Sequence, residues 1–296
     1  MNLTSIGEVA NWVTTLDDFV GKDQVQCPDF LRPFHLATLA MTCRKHGIQL
    51  GMTADTDDDE KGMRALVSYA TRMGLWDAIE QPRPVQINDQ PPAGRFHPVA
   101  LLRDESTVED TSSKIFEILG AQVRADKQSV NSLEIMAQEI IGNCYAHSEA
   151  RGQNYGAVCA QTWPKAQLAQ VVMCDAGIGI RASLMEREDY RQELTHRNSC
   201  EFATGYEVTS KPGRGHSGYG LTVAKQLMLQ NGGAFLLVSG DEYYACIRGR
   251  EDSGKIPVAL DGTLVIFEWN TEVPLDIRAV YDSWPTPEGE DDDFLI

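Results

Sequence analysis

The sequence predicts an α/β protein with two domains: a smaller α/β domain, followed by an α/β sandwich in which helices cover one face of a mixed sheet. Three observations support this prediction. Strand-like and helix-like segments alternate before residue 80, four prolines interrupt the chain between residues 81 and 94, and strand-like runs separated only by turns follow residue 230. We therefore predict domains at residues 1–81 and 96–284, a linker at 82–95, and a disordered acidic tail at 285–296.

The first domain is predicted to alternate two strands with two helices. Residues 23–28 are a short β-type run, and Pro33–His46 is a helix with proline in its first turn, where the missing amide has no intrahelical partner. A second strand is expected at 47–53 and a second helix at 61–76. The short connections between these elements are typical of α/β packing.

The second domain is predicted to combine helices with a meander of strands. Its helices are expected at 107–119, 131–147 and 222–230, and its strands at 96–102, 155–161, 169–175, 234–239, 243–248 and 263–269. The later strands follow one another through turns, as antiparallel neighbours do.

The acidic composition limits the partners of this protein. The 296 residues include 43 Asp and Glu against 26 Lys and Arg, a formal net charge of −17. Such a surface repels the phosphates of nucleic acids and of anionic lipids, so we expect no nucleic-acid and no membrane partner. The seven cysteines form no CxxC pair and are predicted to be reduced core residues. Without an apolar leader or a run near the roughly 18 residues of a membrane span, the protein is predicted to be cytoplasmic.

The predicted helix at 131–147 has a polar row beside its apolar stripe. Glu139, Asn143 and His147 are four residues apart and therefore share one side of the helix. Such a row can be an ordinary polar helix edge, which is the default interpretation of His147. A carboxylate and a carboxamide one turn apart can also activate a water and bind Mg²⁺, which prefers oxygen ligands. The stripe consists of Leu133, Met136, Ala137, Ile140, Ile141 and Cys144.

A carboxylate and two glycines follow the apolar strand at 169–175. Asp175 ends this strand, and Gly177 and Gly179 follow it. An ordinary charged strand end before a loop is one interpretation. A carboxylate at the end of a buried strand is nevertheless costly unless it meets a hydrogen-bond donor, and glycine lets the backbone lie close to a ligand.

A glycine-rich loop at 210–221 leads into the predicted helix at 222–230. The amides and the positive dipole end of a helix start attract anions. The loop contains GxGxxG between Gly213 and Gly218, but no strand runs directly into it and no GxxxxGK[ST] occurs. The sequence therefore predicts an anion site that is neither a dinucleotide-binding fold nor a P-loop.

Four motifs follow one another along the chain: E-x-x-x-N, D-x-G-x-G, a glycine-rich loop that opens a helix, and G-T before a strand. Together, and in this order, they resemble the GHKL ATPase superfamily over residues 131–274. That superfamily includes gyrase, chaperone, histidine-kinase and MutL types, and the resemblance implies ATP and Mg²⁺ as ligands. By this resemblance Glu139 polarises the attacking water or hydroxyl, and Asn143 binds Mg²⁺. Asp175 accepts a hydrogen bond from the adenine amino group.

The resemblance also assigns the glycine-rich segments. It implies that Gly177 and Gly179 shape the adenine pocket and the hinge of a mobile lid at 180–217, and that Thr263 supports Asp175. Further nucleotide contacts, chiefly with the phosphates, are implied for Lys211, Arg214, Gly218, Tyr219, Gly220 and Leu221.

Differences within the superfamily narrow the prediction. The segment EIIGNCYAHS resembles serine kinases that act as anti-sigma factors, whereas sensor histidine kinases usually lack the glutamate four residues before the asparagine. Gyrase-type and MutL-type members need a transducer domain, for which the chain after Pro274 is too short. We expect a Mg²⁺-dependent ATPase that acts as a nucleotide-driven switch for a protein partner. A protein serine/threonine kinase of the anti-sigma type and a non-catalytic interaction module are the alternatives, and homodimerisation is common in the superfamily.

The first domain resembles a STAS-type domain, the α/β fold of anti-sigma-factor antagonists, over residues 22–80. The resemblance rests on the pattern CPDFLRPFHLATLAMTCRKHGIQLGM followed by LVSYATRMGLWDAI. It implies a protein-docking or sensing module and not an enzyme. An unrelated small α/β domain is the alternative.

Overall fold

Helices and strands alternate through the computed structural model, which describes residues 2–22, 24–54, 60–86, 94–120, 127–146, 156–210 and 218–284. The helices are α1 (Ile6–Phe19), α2 (Pro33–His46), α3 (Glu60–Arg72), α4 (Leu75–Ala78), α5 (Val108–Gly120), α6 (Lys127–Ala146), α7 (Gly179–Leu184), α8 (Glu188–Leu194), α9 (Ser199–Ala203), α10 (Gly220–Asn231) and α11 (Ile277–Asp282). The strands are β1 (Gln24–Cys27), β2 (Gly51–Ala54), β3 (Phe96–Leu102), β4 (Gly156–Trp163), β5 (Leu168–Asp175), β6 (Ala234–Ile247) and β7 (Arg250–Asn270).

The larger sheet has the strand order β3-β4-β5-β7-β6 and is antiparallel throughout. The α/β class is confirmed, but the predicted mixed sheet is wrong. The reason lies in the connections: β6 and β7 join through a two-residue turn at Arg248 and Gly249, both at positive φ, which is the geometry of a tight hairpin. Parallel neighbours need a crossover. Such a crossover occurs in the small sheet, where α2 connects the parallel strands β1 and β2.

Helices cover both faces of the larger sheet. Along β5, the side chains of Ala169, Val171 and Met173 belong to the hydrophobic cluster that contains α6 and α10 residues. Those of Val172 and Cys174 belong to the cluster that contains α1 and α2 residues. Because successive strand residues face opposite sides, the two clusters lie on opposite faces. The helices of the predicted second domain, α5 to α11, lie on one face as predicted, whereas helices of residues 1–81 cover the other face, which was not predicted. Runs such as VVMC are apolar at every position because both faces are buried.

A buried ion pair connects the N-terminal segment to the larger sheet. Arg32, directly before α2, donates to Glu268 of β7 at 3.0 Å, and their side chains are 8% and 0% exposed. The amide of Thr4 donates to the other oxygen of Glu268 at 2.6 Å, and Gln170 Nε2 donates to the Thr4 hydroxyl at 3.0 Å. Breaking such a buried pair is strongly destabilising. The two parts of the chain thus share an interface, while the limits 1–81, 82–95 and 96–284 stay predictions.

Differences between predicted and observed elements follow from packing. α2 has the predicted bounds. The two strands expected at 234–239 and 243–248 form one strand, β6, because an irregularity at Gly240 bends the strand without ending it. α1 was not predicted, although Ser5 caps it and its buried residues have helical spacing: Val9, Trp12, Val13, Leu16 and Phe19.

The seven cysteines all lie in the described part of the chain, where they are buried and form no disulfide, as predicted. Among the described helices, none is long and apolar enough to cross a membrane. The predicted tail at 285–296 and residues 87–93 of the predicted linker lie outside the described residues.

Candidate functional site

A cavity of about 870 Å³, counting the open space at its mouth, lies between α6, α7, the start of α10, the end of β5 and the interior of β7. Six separate chain segments contribute residues to its lining. The predicted site residues in its lining are Glu139, Asn143, Asp175, Gly179, Gly218, Gly220, Leu221 and Thr263. Apolar side chains, among them Met173, Leu184, Leu237 and Val265, also line it.

Asp175 lies at the end of β5, opposite Thr263 of β7 in the antiparallel register. The amide of Gly177 donates to its Oδ1 at 2.8 Å, and the amide and hydroxyl of Thr263 donate to the same carboxylate. Burial outweighs these donors and raises the pKa of Asp175 to about 7. Near neutral pH this carboxyl group is therefore divided between its two protonation states, and a further donor on a ligand would favour the charged one.

Gly262 permits the close approach of β7 to Asp175. Its φ is +88°, and a Cβ there would lie 2.1 Å from the carbonyl oxygen of Asp175. Glycine alone satisfies both conditions. The Gly-Thr pair thus has a physical basis, since glycine admits the neighbouring strand end and threonine supplies two donors to the carboxylate.

Ser239 on β6 belongs to the site, but the sequence patterns did not identify it. Its Oγ accepts from the Ile180 amide at 2.8 Å, donates to the Gly262 carbonyl at 2.9 Å and lies 3.2 Å from Thr263 Oγ1. A Cβ at Gly179, whose φ is +79°, would lie 2.9 Å from this oxygen. Ser239 therefore fixes the turn at Gly179 to the two neighbouring strands. Its role depends on the pairing of β6 with β7, which no local sequence signal records.

Glu139 and Asn143 line the cavity from α6, one helical turn apart. The neighbouring stripe faces the core, because its described members are all buried: Met136, Ala137, Ile140, Ile141 and Cys144. The side chain of Leu133 lies outside the described residues. A carboxylate and a carboxamide thus reach the same space from one helix face.

The first turn of α10 lies directly against Glu139. A Cβ at Gly220 would be 3.0 Å from Glu139 Oε2 and 3.1 Å from Glu139 Cβ. The amide of Val223 bonds to the carbonyl of Tyr219 at 2.8 Å, and the amides of the preceding turn have no partner within the helix. An anion bound at this helix start would therefore lie beside the Glu139 carboxylate.

Five residues that the sequence singled out are not among the lining residues. Two of them have other positions in the structure, and three lie outside the described residues. Gly177 contributes through the amide that it donates to Asp175. The ring of Tyr219 lies among other aromatic rings and not in the lining. His147, Lys211 and Arg214 lie outside the described residues, so their roles stay predictions.

The described part of the predicted lid, residues 180–210, contains α7, α8 and α9. These helices pack on the hydrophobic cluster that contains α6 and α10 residues. Arg181 of α7 forms two hydrogen bonds to Glu242 of β6, at 3.0 and 2.6 Å. Glu242 also accepts from the amide and hydroxyl of Ser199. Burial alone would raise the pKa of Glu242, but these donors outweigh it and lower the pKa. This ion pair fixes α7 and α9 to the sheet, and movement of the segment as a lid stays a prediction.

A second cavity, of about 630 Å³ with its open mouth, reaches Asp175 from the other face of the sheet. It is lined by α1, α2 and residues 259–261 of β7, and Lys45 and Asp261 form an ion pair at its edge at 2.8 Å. Its described lining includes neither a helix start nor a pair like Glu139 and Asn143. The first cavity is therefore the candidate site.

Asn143 lines the cavity, where its side-chain oxygen could serve as one ligand of a divalent cation. Among the described residues, no group of three or more His, Cys, Asp or Glu side chains is arranged to hold a metal. In nucleotide sites Mg²⁺ takes one or two protein oxygens and completes its coordination with phosphate and water. The donor set fits a cation that binds together with a nucleotide.

Comparison with protein-family models, curated proteins and solved structures finds no match for this chain. The geometry alone defines the class of site. A carboxylate held by three protein donors lies at one end, a helix start beside a second carboxylate lies at the other, and apolar side chains lie between them. Such a cavity suits a ligand with a hydrogen-bond donor on a planar apolar group and an anionic group at its other end.

Proposed function

We propose that this protein is a Mg²⁺-dependent ATPase of the GHKL type, which binds ATP in the first cavity and acts as a nucleotide-driven switch for a protein partner. The observation that supports this most directly is the convergence of Asp175 with Thr263, Glu139 with Asn143, and the start of α10 on one cavity. If Glu139, Asp175 and the glycine-rich loop belonged only to an ordinary helix edge, strand end and loop, nothing would require them to line one cavity.

In this proposal Asp175 accepts a hydrogen bond from the adenine amino group. Gly177 and Thr263 hold the carboxylate from the protein side, and the base supplies the additional donor that favours its charged form. The faces of the purine ring then contact the apolar side chains of the lining, which include Met173, Leu184 and Val265.

The phosphates lie at the first turn of α10, where backbone amides and the helix dipole favour negative charge. Glu139 lies against Gly220 of this turn, in position to orient a water and accept its proton. Asn143 offers an oxygen ligand to the cation. Mg²⁺, when bound, neutralises part of the phosphate charge.

Calorimetric titration with a non-hydrolysable ATP analogue and Mg²⁺, combined with a phosphate-release assay, tests the proposal. We expect the wild-type protein to bind, Glu139→Ala to bind without turnover, and Asp175→Asn to lose binding. Glu193→Ala is a matched control, because Glu193 is an exposed carboxylate on α8 paired with Arg197. Absence of binding by the wild-type protein, or normal binding by Asp175→Asn, would refute the assignment of the site.

A protein serine/threonine kinase uses the same residues, because phosphoryl transfer depends mostly on positioning and charge stabilisation. Labelled ATP separates the two reactions: release of labelled phosphate supports the ATPase, whereas label on a serine or threonine of a partner supports the kinase. A non-catalytic interaction module predicts that Glu139→Ala is unchanged in every assay.

The proposal extends to the partners and the location of the protein. Residues 1–81 are proposed as a STAS-like docking or sensing module for the protein partner, and homodimerisation is a prediction that light scattering can measure. Seven buried cysteines without a disulfide, together with the use of ATP, suit the cytoplasm. The net charge of −17 argues against nucleic-acid and membrane partners.

A further inference from the structure

Four aromatic rings form a cluster beside the candidate site. The centroid of Trp284 lies 4.7 Å from Tyr219, 4.9 Å from Tyr281 and 5.1 Å from Tyr206. Tyr206 and Tyr219 are themselves 5.3 Å apart. Trp284 therefore contacts all three tyrosines, and the aromatic cluster (Tyr206, Tyr219, Tyr281 and Trp284) remains partly exposed.

Residues 270–284, which lead to Trp284, run antiparallel to α10. At the end of α10, Asn231 Nδ2 donates to the carbonyls of Asn270 and Val273 at 3.1 and 3.0 Å. α11 then buries Ile277 and Val280 in the hydrophobic cluster that contains α6 and α10 residues. Midway along α10, the Trp284 indole donates to Gln226 Oε1 at 3.1 Å. The C-terminal segment thus brings an indole ring to the start of α10, where the phosphates are proposed to bind.

The aromatic cluster contacts both chain segments that border this end of the cavity. Tyr219 lies between Gly218 and Gly220, which line the cavity. Tyr206 precedes the lining residues at 208–210, and the Tyr219 hydroxyl donates to Glu207 at 3.0 Å. Trp284 packs on the tyrosine of each segment, so the two segments cannot separate without breaking its ring contacts.

The aromatic cluster also reaches the neighbourhood of Glu139. Burial, together with the Glu139 carboxylate, raises the pKa of Tyr281, whose ring meets Trp284 edge to face. α11 packs against both α6 and α10, the two helices that supply Glu139 and the anion-binding turn.

We propose that Trp284 is a positioning residue for nucleotide binding, which holds the start of α10 and the segment at 206–210 together and so places the phosphate site under the control of the C-terminal helix α11. This inference rests on the proposed function. Trp284 does not line the cavity, and it acts through Tyr206 and Tyr219. A partner that displaces α11 would weaken nucleotide binding without entering the cavity.

Titration of Trp284 variants with Mg²⁺ and a non-hydrolysable ATP analogue tests the inference. Trp284→Ala removes all three ring contacts and should raise the Kd about tenfold or more, whereas Trp284→Phe keeps an aromatic ring and should stay within about threefold of the wild type. Trp163→Ala is the matched control, because Trp163 is another partly exposed indole at the far end of β4, opposite Leu168 and not Asp175. It should bind as the wild type does.

Tryptophan emission gives a second readout that a purely structural role would not change. We expect nucleotide binding to alter the emission of the wild-type protein, and we expect this change to disappear in Trp284→Phe while binding persists. If the wild type binds and Trp284→Ala binds equally well, or if the emission change is as large in Trp284→Phe, the inference is wrong and the proposed function stands. If the wild type itself does not bind, both fail.

Discussion

Asp175→Asn should stabilise the ligand-free protein. Burial raises the pKa of Asp175 to about 7 from an ordinary value of 3.8. Between these pH values the folded protein holds a proton that the unfolded chain has released, so the free energy of unfolding falls as the pH rises. The penalty is absent at lower pH and complete above the folded pKa, and it amounts to at most about 4 kcal/mol, at about 1.4 kcal/mol per pH unit. Asparagine stays neutral and removes this penalty.

The same substitution should remove nucleotide binding. The Gly177 amide donates to Asp175 Oδ1 at 2.8 Å, and Thr263 supplies two further donors to the carboxylate. Asparagine replaces one of the two acceptor oxygens with an NH₂ donor, so fewer acceptor sites remain for these donors and for the adenine amino group, and the hydrogen bond to adenine is lost. Stability and binding therefore change in opposite directions.

Urea unfolding without nucleotide, between about pH 5 and pH 8, measures the effect. The advantage of Asp175→Asn over the wild type should increase with pH and level off above the pKa of Asp175. Asp241→Asn is the control: the hydrogen bond from Lys255 lowers the pKa of Asp241, so any effect of this substitution has the opposite sign. An equal pH dependence in wild type and Asp175→Asn, or a less stable Asp175→Asn protein at pH 8, would refute the reasoning.

Three further predictions concern the pH dependence of nucleotide binding, the turn beside Glu139 and the buried ion pair of Arg32 with Glu268. Nucleotide affinity should rise, by up to about tenfold, between pH 6 and pH 8, because ionised Asp175 accepts the adenine donor more strongly than its protonated form does; adenosine, which has no phosphate to titrate, should show the same trend by calorimetry, and a flat profile would contradict it. Gly220→Ala should reduce ATP turnover more than affinity, because its Cβ would lie 3.0 Å from Glu139 Oε2, and steady-state kinetics beside calorimetry separate these effects. Arg32→Met should cost about 3–5 kcal/mol in urea unfolding, because it leaves Glu268, with 0% of its side chain exposed, without its cation; a change below about 1 kcal/mol would mean that the pair contributes little.

Local signals were sufficient for elements whose bounds depend on neighbouring residues. α2 begins at Pro33 and ends before Gly47, which adopts a left-handed conformation, and both residues are recognisable in the sequence. The polar site residues could be predicted for a related reason. Glu139, Asn143 and Asp175 interrupt or border apolar patterns, so each is visible without knowledge of the fold.

Contacts between distant strands could not be predicted in this way. Ser239 reaches Gly262 and Ile180 only because β6 pairs with β7. Glu268 meets Arg32 across 236 residues of chain. The second covered face of the sheet was missed for the same reason, since an apolar strand does not record which helices bury each of its sides.

The covered second face also bears on the raised pKa of Asp175. A carboxylate at an exposed sheet edge is hydrated and keeps an ordinary pKa, whereas burial raises the pKa of Asp175 to about 7. α1 and α2 pack on the face of the sheet opposite the candidate site, and their residues border the second cavity beside Asp175. A change in their packing alters the hydration of the carboxylate and therefore the free energy of charging it. Ligand affinity depends on that free energy, so the N-terminal helices influence the proposed adenine contact without touching the nucleotide.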